Sequence, residues 1–138
     1  MYLIDTNVIS ESRKKGRANT GVAAFFSKVA ADEAAVYLSA VSVGELRRGV
    51  ELIRHRGDGP QADRLETWLL GVLNDYKDNI LSFEAEAAQV WGRLRVPHAE
   101  HELDKQIAAI ALVNDLTVVT RNTEDFAGTG VRLANPFS

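Results

Sequence analysis

The sequence predicts an α/β protein in which helices cover both faces of a mostly parallel sheet. Short apolar runs alternate along the chain with longer segments whose apolar residues recur at helical spacing. This alternation is typical of parallel sheets, because each return to a parallel strand requires a crossover connection, usually a helix. The length of 138 residues suits one domain, and we expect that domain to span residues 1–138.

Three apolar runs are the clearest strand candidates. They are residues 2–4, 36–38 and 116–120, and the last of these is rich in β-branched side chains. Residues 79–81 and 131–133 are weaker candidates of the same kind. Consecutive apolar positions indicate strands that are buried on both faces of the sheet.

Apolar residues recur every three or four positions in five other segments, which predicts five helices. These segments are residues 22–30, 43–53, 65–73, 87–94 and 107–114. We expect Pro97 to end the fourth helix, and Asn114 with Asp115 to end the fifth. Residues 57–60, with the sequence Gly-Asp-Gly-Pro, predict a loop within the domain.

Composition excludes several classes of protein and of site. The chain has no cysteine, so disulfides, thiolate metal sites and cysteine nucleophiles are absent. A net charge of -3 excludes a protein that binds nucleic acid through a uniformly basic surface, but it allows a local basic patch. No apolar run approaches the roughly 20 residues of a membrane span, and the N-terminus lacks a signal-peptide pattern. We therefore expect a cytoplasmic protein without a membrane anchor.

Four carboxylates fall where predicted strands end or where the following helices begin. Asp5 follows the first strand, Glu45 lies early in the helix after the second, Asp104 opens the fifth helix, and Asp125 follows the 116–120 strand. Proteins with open parallel sheets have their binding and catalytic sites just outside the carboxyl ends of the strands. We therefore expect these four side chains to meet at one edge of the sheet.

Each acid also has a local explanation that involves no function. Asp5 and Asp104 are candidate helix caps, and Asp125 suits a solvated loop. Ser42 and Glu45 match the spacing of a capping box, in which the glutamate returns to the amide of the cap residue. These explanations predict no convergence in space, whereas a functional site requires it.

Clustered carboxylates raise one another's pKa unless a cation neutralises them. Because the site contains no obvious nitrogen or sulfur ligands, Mg²⁺ or Mn²⁺ is the metal that suits it. Such an ion can activate water and stabilise the charge that develops on a phosphodiester. The chemistry that these acids indicate is phosphodiester hydrolysis.

Four motifs carry these acids in order between residues 2 and 126. They are LIDTNVIS with Asp5, LSAVSVGELRRGV with Glu45, DKQIAAIAL with Asp104, and VVTRNTEDF with Asn122 and Asp125. The chain resembles a PIN-domain ribonuclease, specifically a VapC-like toxin of a type II toxin–antitoxin system. The closing string ANPF is similar to the end of FitB-like members.

The resemblance implies a three-layer α/β/α sandwich with a five-stranded parallel sheet. It also implies an Mg²⁺- or Mn²⁺-dependent endoribonuclease that acts as a toxin on RNA, often tRNA or ribosomal RNA. A homodimer and a VapB-like antitoxin are the implied partners, and operator DNA would be bound only through the antitoxin.

The resemblance also implies roles for the site residues. Asp5 and Asp104 correspond to direct metal ligands, and Glu45 completes the site or serves as a base. Some members carry an aspartate where this chain has Asn122, so either Asn122 or Asp125 fills the fourth position. Lys105 is a second departure, because members often have a small or apolar residue there; it either offsets charge near Asp104 or faces solvent.

Basic residues near the acid motifs are candidate RNA contacts. Arg47 and Arg48 lie within one turn of Glu45, and Arg13 follows the Asp5 motif. A solvated helix face is the alternative for the Arg47–Arg48 pair. His98, Glu100, His101 and Glu102 resemble a metal cluster, but they lack a helical frame and are expected to form a solvated connection.

Two other functions also fit the sequence. The first is a catalytically silent PIN-like module that binds RNA or protein, which the missing charge at Asn122 favours. The second is phosphotransfer through an aspartyl nucleophile at Asp5. Phosphatases of that type usually need a second aspartate two residues later, and this chain has Asn7 there.

Overall fold

Five parallel strands form the middle layer of the protein, in the order β3-β2-β1-β4-β5. In the computed structural model, which describes residues 1–138, the strands are β1 (Tyr2–Ile4), β2 (Val36–Ser39), β3 (Ile80–Leu81), β4 (Thr117–Val119) and β5 (Leu133–Ala134). Every neighbouring pair is parallel. The predicted five-stranded parallel sheet is therefore confirmed, and its central strand is the first one in the chain.

Six α-helices surround this sheet, one more than the periodicity predicts. They are α1 (Thr6–Ser12), α2 (Thr20–Ala31), α3 (Ala40–His55), α4 (Gly59–Asp75), α5 (Ala85–Leu94) and α6 (Glu102–Val113). The extra helix, α1, is too short to show a clear periodicity. Two short 3₁₀ turns, Lys15–Arg17 and Thr123–Phe126, complete the regular structure.

The helix ends follow ordinary capping rules. The Asn19 side chain accepts hydrogen bonds from two backbone N–H groups at the start of α2, and Asp58 accepts one at the start of α4. Helix α4 begins at Gly59 with Pro60 in its first turn, where the missing N–H of proline costs nothing. The predicted loop is therefore limited to residues 57 and 58, and residues 59 and 60 already belong to α4.

The core lies on both sides of the sheet, because neighbouring residues of a buried strand point to opposite faces. Leu3 joins one apolar cluster with residues of α5 and α6, whereas Ile4 joins another with residues of α1, α2, α3 and α4. Each cluster contains 11 buried residues. The arrangement is the expected three-layer α/β/α sandwich.

Crossing a lipid bilayer would require a longer and more apolar helix than any of the six in this structure.

Candidate functional site

The carboxyl ends of β1, β2 and β4 meet at one edge of the sheet, and a polar residue ends or directly follows each strand. Asp5 follows β1 and Thr120 follows β4, while Ser39 is the last residue of β2. All three side chains are buried. The backbone N–H of Asp5 donates to the carbonyl of Val119 at 2.9 Å, which ties the ends of β1 and β4 together.

Asp5 is held by hydrogen bonds on both carboxylate oxygens. Its Oδ1 accepts from the backbone N–H of Thr6 at 2.8 Å, which caps helix α1. Its Oδ2 accepts from the Thr120 hydroxyl at 2.8 Å and from the Asn7 amide at 3.4 Å. The predicted cap role is therefore correct for Asp5, and it coexists with a fixed position in the site.

The local explanations offered for Glu45 and Asp104 are wrong. Ser39 caps α3, because its Oγ accepts from the backbone N–H of Ser42, so Ser42 is not the cap residue that a capping box with Glu45 requires. Helix α6 begins at Glu102, which places Asp104 inside the first turn rather than at the cap. Helix capping therefore does not account for the position of either carboxylate.

Three of the four predicted acids line a single cleft of about 330 Å³. The first turn of α6 forms one wall, and the ends of β1 and the early part of α3 form the other. The residues that line this cleft are Asp5, Thr6, Glu45, His101, Glu102, Leu103, Asp104 and Ile107. Residues that lie far apart in sequence converge here, as the functional hypothesis requires.

The fourth acid reaches the cluster from the 3₁₀ turn after β4. One oxygen of Asp104, one oxygen of Asp125 and a ring nitrogen of His101 lie within 4.8 Å of one another. Asn122 is exposed, and only its backbone takes part in the local hydrogen bonds, to Thr120 and from Asp125. The structure thus brings Asp125 to the acids, whereas the Asn122 side chain makes no hydrogen bond to them.

The acids influence one another's charge state. Partial burial, followed by the negative charges of Asp5, Asp125 and Glu45, raises the pKa of Asp104 to about 6, although His101 acts in the opposite direction. A carboxylate with this environment gains from a nearby cation. Because the converging donors are mainly carboxylate oxygens, the residues present fit a hard divalent ion such as Mg²⁺ or Mn²⁺.

The three candidate RNA contacts differ in their surroundings. Arg13 lines a second cleft, of about 240 Å³, together with Glu45, the one acid that also lines the first cleft. Arg48 is exposed and makes no ion pair. The Arg47 guanidinium instead lies 3.2 Å from Glu51 and 3.0 Å from Glu66 of α4. Arg47 therefore joins α3 to α4, and its cationic group is already paired.

Sequence reasoning misplaced two residues of this region. His101 and Glu102 were expected in a solvated connection, yet both line the acid cleft and Glu102 begins α6, whereas the exposed residues His98 and Glu100 agree with that expectation. Lys105 is buried and its ammonium group donates to the His98 carbonyl, so it does not face solvent. The available signal for His101 was its position three residues before Asp104, a spacing that brings side chains together on a helix.

A family model for the PIN domain matches residues 2–131 of the chain. Plasmid stability protein StbB of Pseudomonas syringae pv. tomato is 34% identical over 144 residues, and toxin FitB of Neisseria gonorrhoeae is 34% identical over 143 residues. Each alignment covers 99% of both proteins. The VapC ribonuclease Y4jK of Sinorhizobium fredii is 29% identical over 143 residues, with 99% of this chain and 98% of the relative covered.

Solved structures of similar proteins share the fold of this chain. The crystal structure of FitAcB from Neisseria gonorrhoeae superposes with a TM-score of 0.83 at 34% identity, and covers 99% of this chain and 98% of its own. The structure of FitAB bound to the IR36 DNA fragment superposes with a TM-score of 0.77 at 32% identity, and covers 100% and 96%. Both likenesses extend over essentially the whole fold described above.

Proposed function

The chain belongs to the PIN-domain family, and on that premise we propose that it is a metal-dependent endoribonuclease, the toxin of a VapBC-type toxin–antitoxin pair. One domain over residues 1–138 would carry this activity. The names of its relatives, toxin FitB and VapC ribonuclease, support both parts of the proposal. The observation that carries it is the convergence of Asp5, Glu45 and Asp104 in one cleft, with Asp125 beside Asp104.

The positions of the site residues suggest a separate role for each of them in metal binding. Asp5 and Asp104 would hold a Mg²⁺ or Mn²⁺ ion, with Glu45 completing the site. The bound ion would supply positive charge that activates a water molecule and stabilises the phosphate as negative charge develops on it. The carboxylate of Asp5 is held in place, because the Thr6 backbone N–H and the Thr120 hydroxyl each donate a hydrogen bond to one of its oxygens. Preorganised ligands of this kind lower the cost of ordering the site during the reaction.

Hydrolysis also requires that a proton leave the attacking water. The water oxygen forms a bond to phosphorus as the P–O bond to the leaving ribose oxygen breaks. Glu45, which lines the acid cleft from helix α3, is our candidate to accept the proton of that water. A second proton must reach the leaving oxygen, and solvent can supply it because the cleft is open to water.

Charge around the cleft supports an RNA substrate. Arg13 shares a cleft with Glu45, and Arg13 also lines a basic concavity together with Lys14, Lys15 and Arg17. Arg48 is also exposed on α3. These cations can contact phosphates on either side of the cut position without selecting bases. We propose Arg13 and Arg48 as RNA contacts, and tRNA or ribosomal RNA as the substrate class.

The proposed partners follow from the family. We propose a homodimer and a VapB-like antitoxin in the cytoplasm, with operator DNA bound through the antitoxin. The similar structure of FitAB on a DNA fragment supports such an assembly.

The test uses a bacterial host, because its cells contain natural RNA targets. Wild type, Asp5→Asn, Asp104→Asn and the exposed control Asp75→Asn are each induced without antitoxin, and new RNA 5′ ends are mapped. We expect growth arrest and discrete cuts with wild type and Asp75→Asn only. The purified proteins are then assayed on the mapped RNA with Mg²⁺, Mn²⁺ or EDTA.

Three results would count against the proposal. Cuts that persist in Asp5→Asn would contradict the assigned site, and cleavage that survives EDTA would contradict metal dependence. Folded wild type that binds RNA but never cuts it, in cells or in the tube, would establish the silent-module alternative instead.

A further inference from the structure

His101 lies between two acids that come from different elements. Its Nδ1 lies 3.7 Å from an oxygen of Asp104 on α6 and 3.9 Å from an oxygen of Asp125 in the 3₁₀ turn. His101 is the residue that precedes α6, and its backbone is in the left-handed region with φ of 59°. This position directs the imidazole into the acid cleft instead of into solvent alone.

The contacts of His101 are too long for direct hydrogen bonds, which end near 3.2 Å for nitrogen donors. The imidazole makes no hydrogen bond to any protein group, and its side chain remains 48% exposed. No hydrogen bond of the side chain therefore holds the imidazole in this position. Donor atoms on one octahedral ion with bonds of about 2.1 Å lie about 3 Å apart when adjacent and about 4.2 Å apart when opposite. The observed separations of 3.7 and 3.9 Å lie between these two values, so small rotations of the side chains would bring the three donors onto one ion.

We propose that His101 supplies a nitrogen ligand to the metal ion held by Asp104, which makes the site favour Mn²⁺ over Mg²⁺. The inference rests on the proposed metal centre and adds a donor that the four acid motifs do not contain. Imidazole is a softer donor than a carboxylate, and Mg²⁺ prefers oxygen ligands and retains its water. A nitrogen donor therefore adds more to the affinity for a transition ion than to the affinity for Mg²⁺.

The same connection offers a matched control. His98 lies three residues before His101, and its Nδ1 lies 3.6 Å from Glu100, outside the group of atoms that could share an ion. His98→Gln therefore removes an exposed imidazole without touching the acids. His101→Gly removes the ligand at a left-handed backbone position, where glycine is unstrained. His101→Gln is a second variant that keeps a side chain of similar size.

The experiment measures metal binding directly. Each protein is loaded with one equivalent of Mn²⁺, and electron spin-echo modulation records coupling of the ion to imidazole ¹⁴N. Calorimetry gives the dissociation constants for Mn²⁺ and Mg²⁺, and circular dichroism checks the fold. We expect ¹⁴N coupling in wild type and His98→Gln, and its loss in both His101 variants. Loss of the ligand should weaken Mn²⁺ binding roughly tenfold or more, and Mg²⁺ binding by a smaller factor.

The outcomes separate the inference from the function on which it rests. Mn²⁺ that binds wild type without imidazole coupling, or coupling that survives in folded His101→Gly, would overturn the role of His101 and leave the acid site intact. Wild type that binds no Mn²⁺, or binds it equally well after Asp104→Asn, would overturn the proposed metal centre together with the inference.

Discussion

The hydroxyl of Thr120 donates a 2.8 Å hydrogen bond to the carboxylate of Asp5, although 115 positions separate the two residues in sequence. The same Oγ accepts hydrogen bonds from the Asn7 amide and from the backbone N–H of Asn122. One buried hydroxyl at the end of β4 therefore fixes the acid at the end of β1 and the start of the turn that carries Asp125. Thr120 positions ligands without lining the acid cleft itself.

Replacing this hydroxyl should loosen the site more than it disturbs the fold. Thr120→Val keeps the shape but leaves one oxygen of Asp5 with only the 3.4 Å contact from Asn7. We expect a loss of about 1–3 kcal/mol in the free energy of unfolding and a 10- to 100-fold loss in Mg²⁺ affinity. Denaturant unfolding and calorimetry measure the two effects. Thr117→Val, at the opposite end of β4, should leave Mg²⁺ affinity unchanged; an equal loss there would refute a specific role for Thr120.

Removing the Asp104 charge should stabilise the metal-free protein above pH 6. Because the folded pKa of about 6 exceeds the unfolded value of 3.8, the native state binds more protons between these values. Its stability therefore falls as pH rises through that window. In EDTA at pH 7, Asp104→Asn should gain about 2 kcal/mol over wild type, after allowance for an exposed fraction of 30%.

Thermal melts of both proteins from pH 4 to pH 8 test whether Asp104→Asn becomes more stable than wild type as pH rises. The advantage of Asp104→Asn should be small at pH 4 and reach its plateau above pH 6. A constant difference across the range, or a variant that is less stable at pH 7, would show that folding does not raise the pKa of Asp104.

RNA binding should separate Arg13 from Arg47. Arg13 lines the cleft beside Glu45, whereas the Arg47 guanidinium is bound by Glu51 and Glu66. In an inactive Asp104→Asn background, Arg13→Ala should weaken RNA binding and lower the slope of log affinity against log salt by about 0.7 for each lost phosphate contact. Arg47→Ala should leave that slope unchanged. Filter binding at several salt concentrations would expose the opposite pattern if Arg47 meets phosphate.

Gly21 allows the C-terminal segment to pack on helix α2. A Cβ at this position would lie 2.1 Å from the Pro136 carbonyl, whereas a Cβ at Gly71 in α4 would meet no atom within 4 Å. Gly21→Ala should therefore cost about 1–3 kcal/mol despite the better helix propensity of alanine. Gly71→Ala should gain about 0.5–1 kcal/mol. Urea unfolding distinguishes the two, and a gain in both would mean that the close approach to Pro136 is absent in solution.

The acids at strand ends could be anticipated because parallel strands place their carboxyl ends on one edge. That rule applies to Asp5 and to the early part of the helix that carries Glu45, regardless of the details of packing. The same rule could not choose between Asn122 and Asp125. Their positions depend on a four-residue 3₁₀ turn, Thr123–Phe126, which leaves no periodic pattern in the sequence.

The residues that sequence reasoning misplaced depend on tertiary contacts. Arg47 resembles a free cation near Glu45, but its partner Glu66 lies on another helix and is 19 positions away. His101 lies in an irregular connection, and its backbone angle decides where the imidazole points. Local propensity carries no information about either contact.

The central place of β1 in the sheet also has a consequence for how the protein is made. On a ribosome, Asp5 and Glu45 emerge first, yet β1 has no partner on its β4 side until residues 117–119 have been synthesised. Asp125 follows later still, in the turn after β4. A nascent chain therefore carries separated acids and no assembled cleft. The proposed ribonuclease can therefore assemble its site only after β4 and the turn that carries Asp125 have been synthesised.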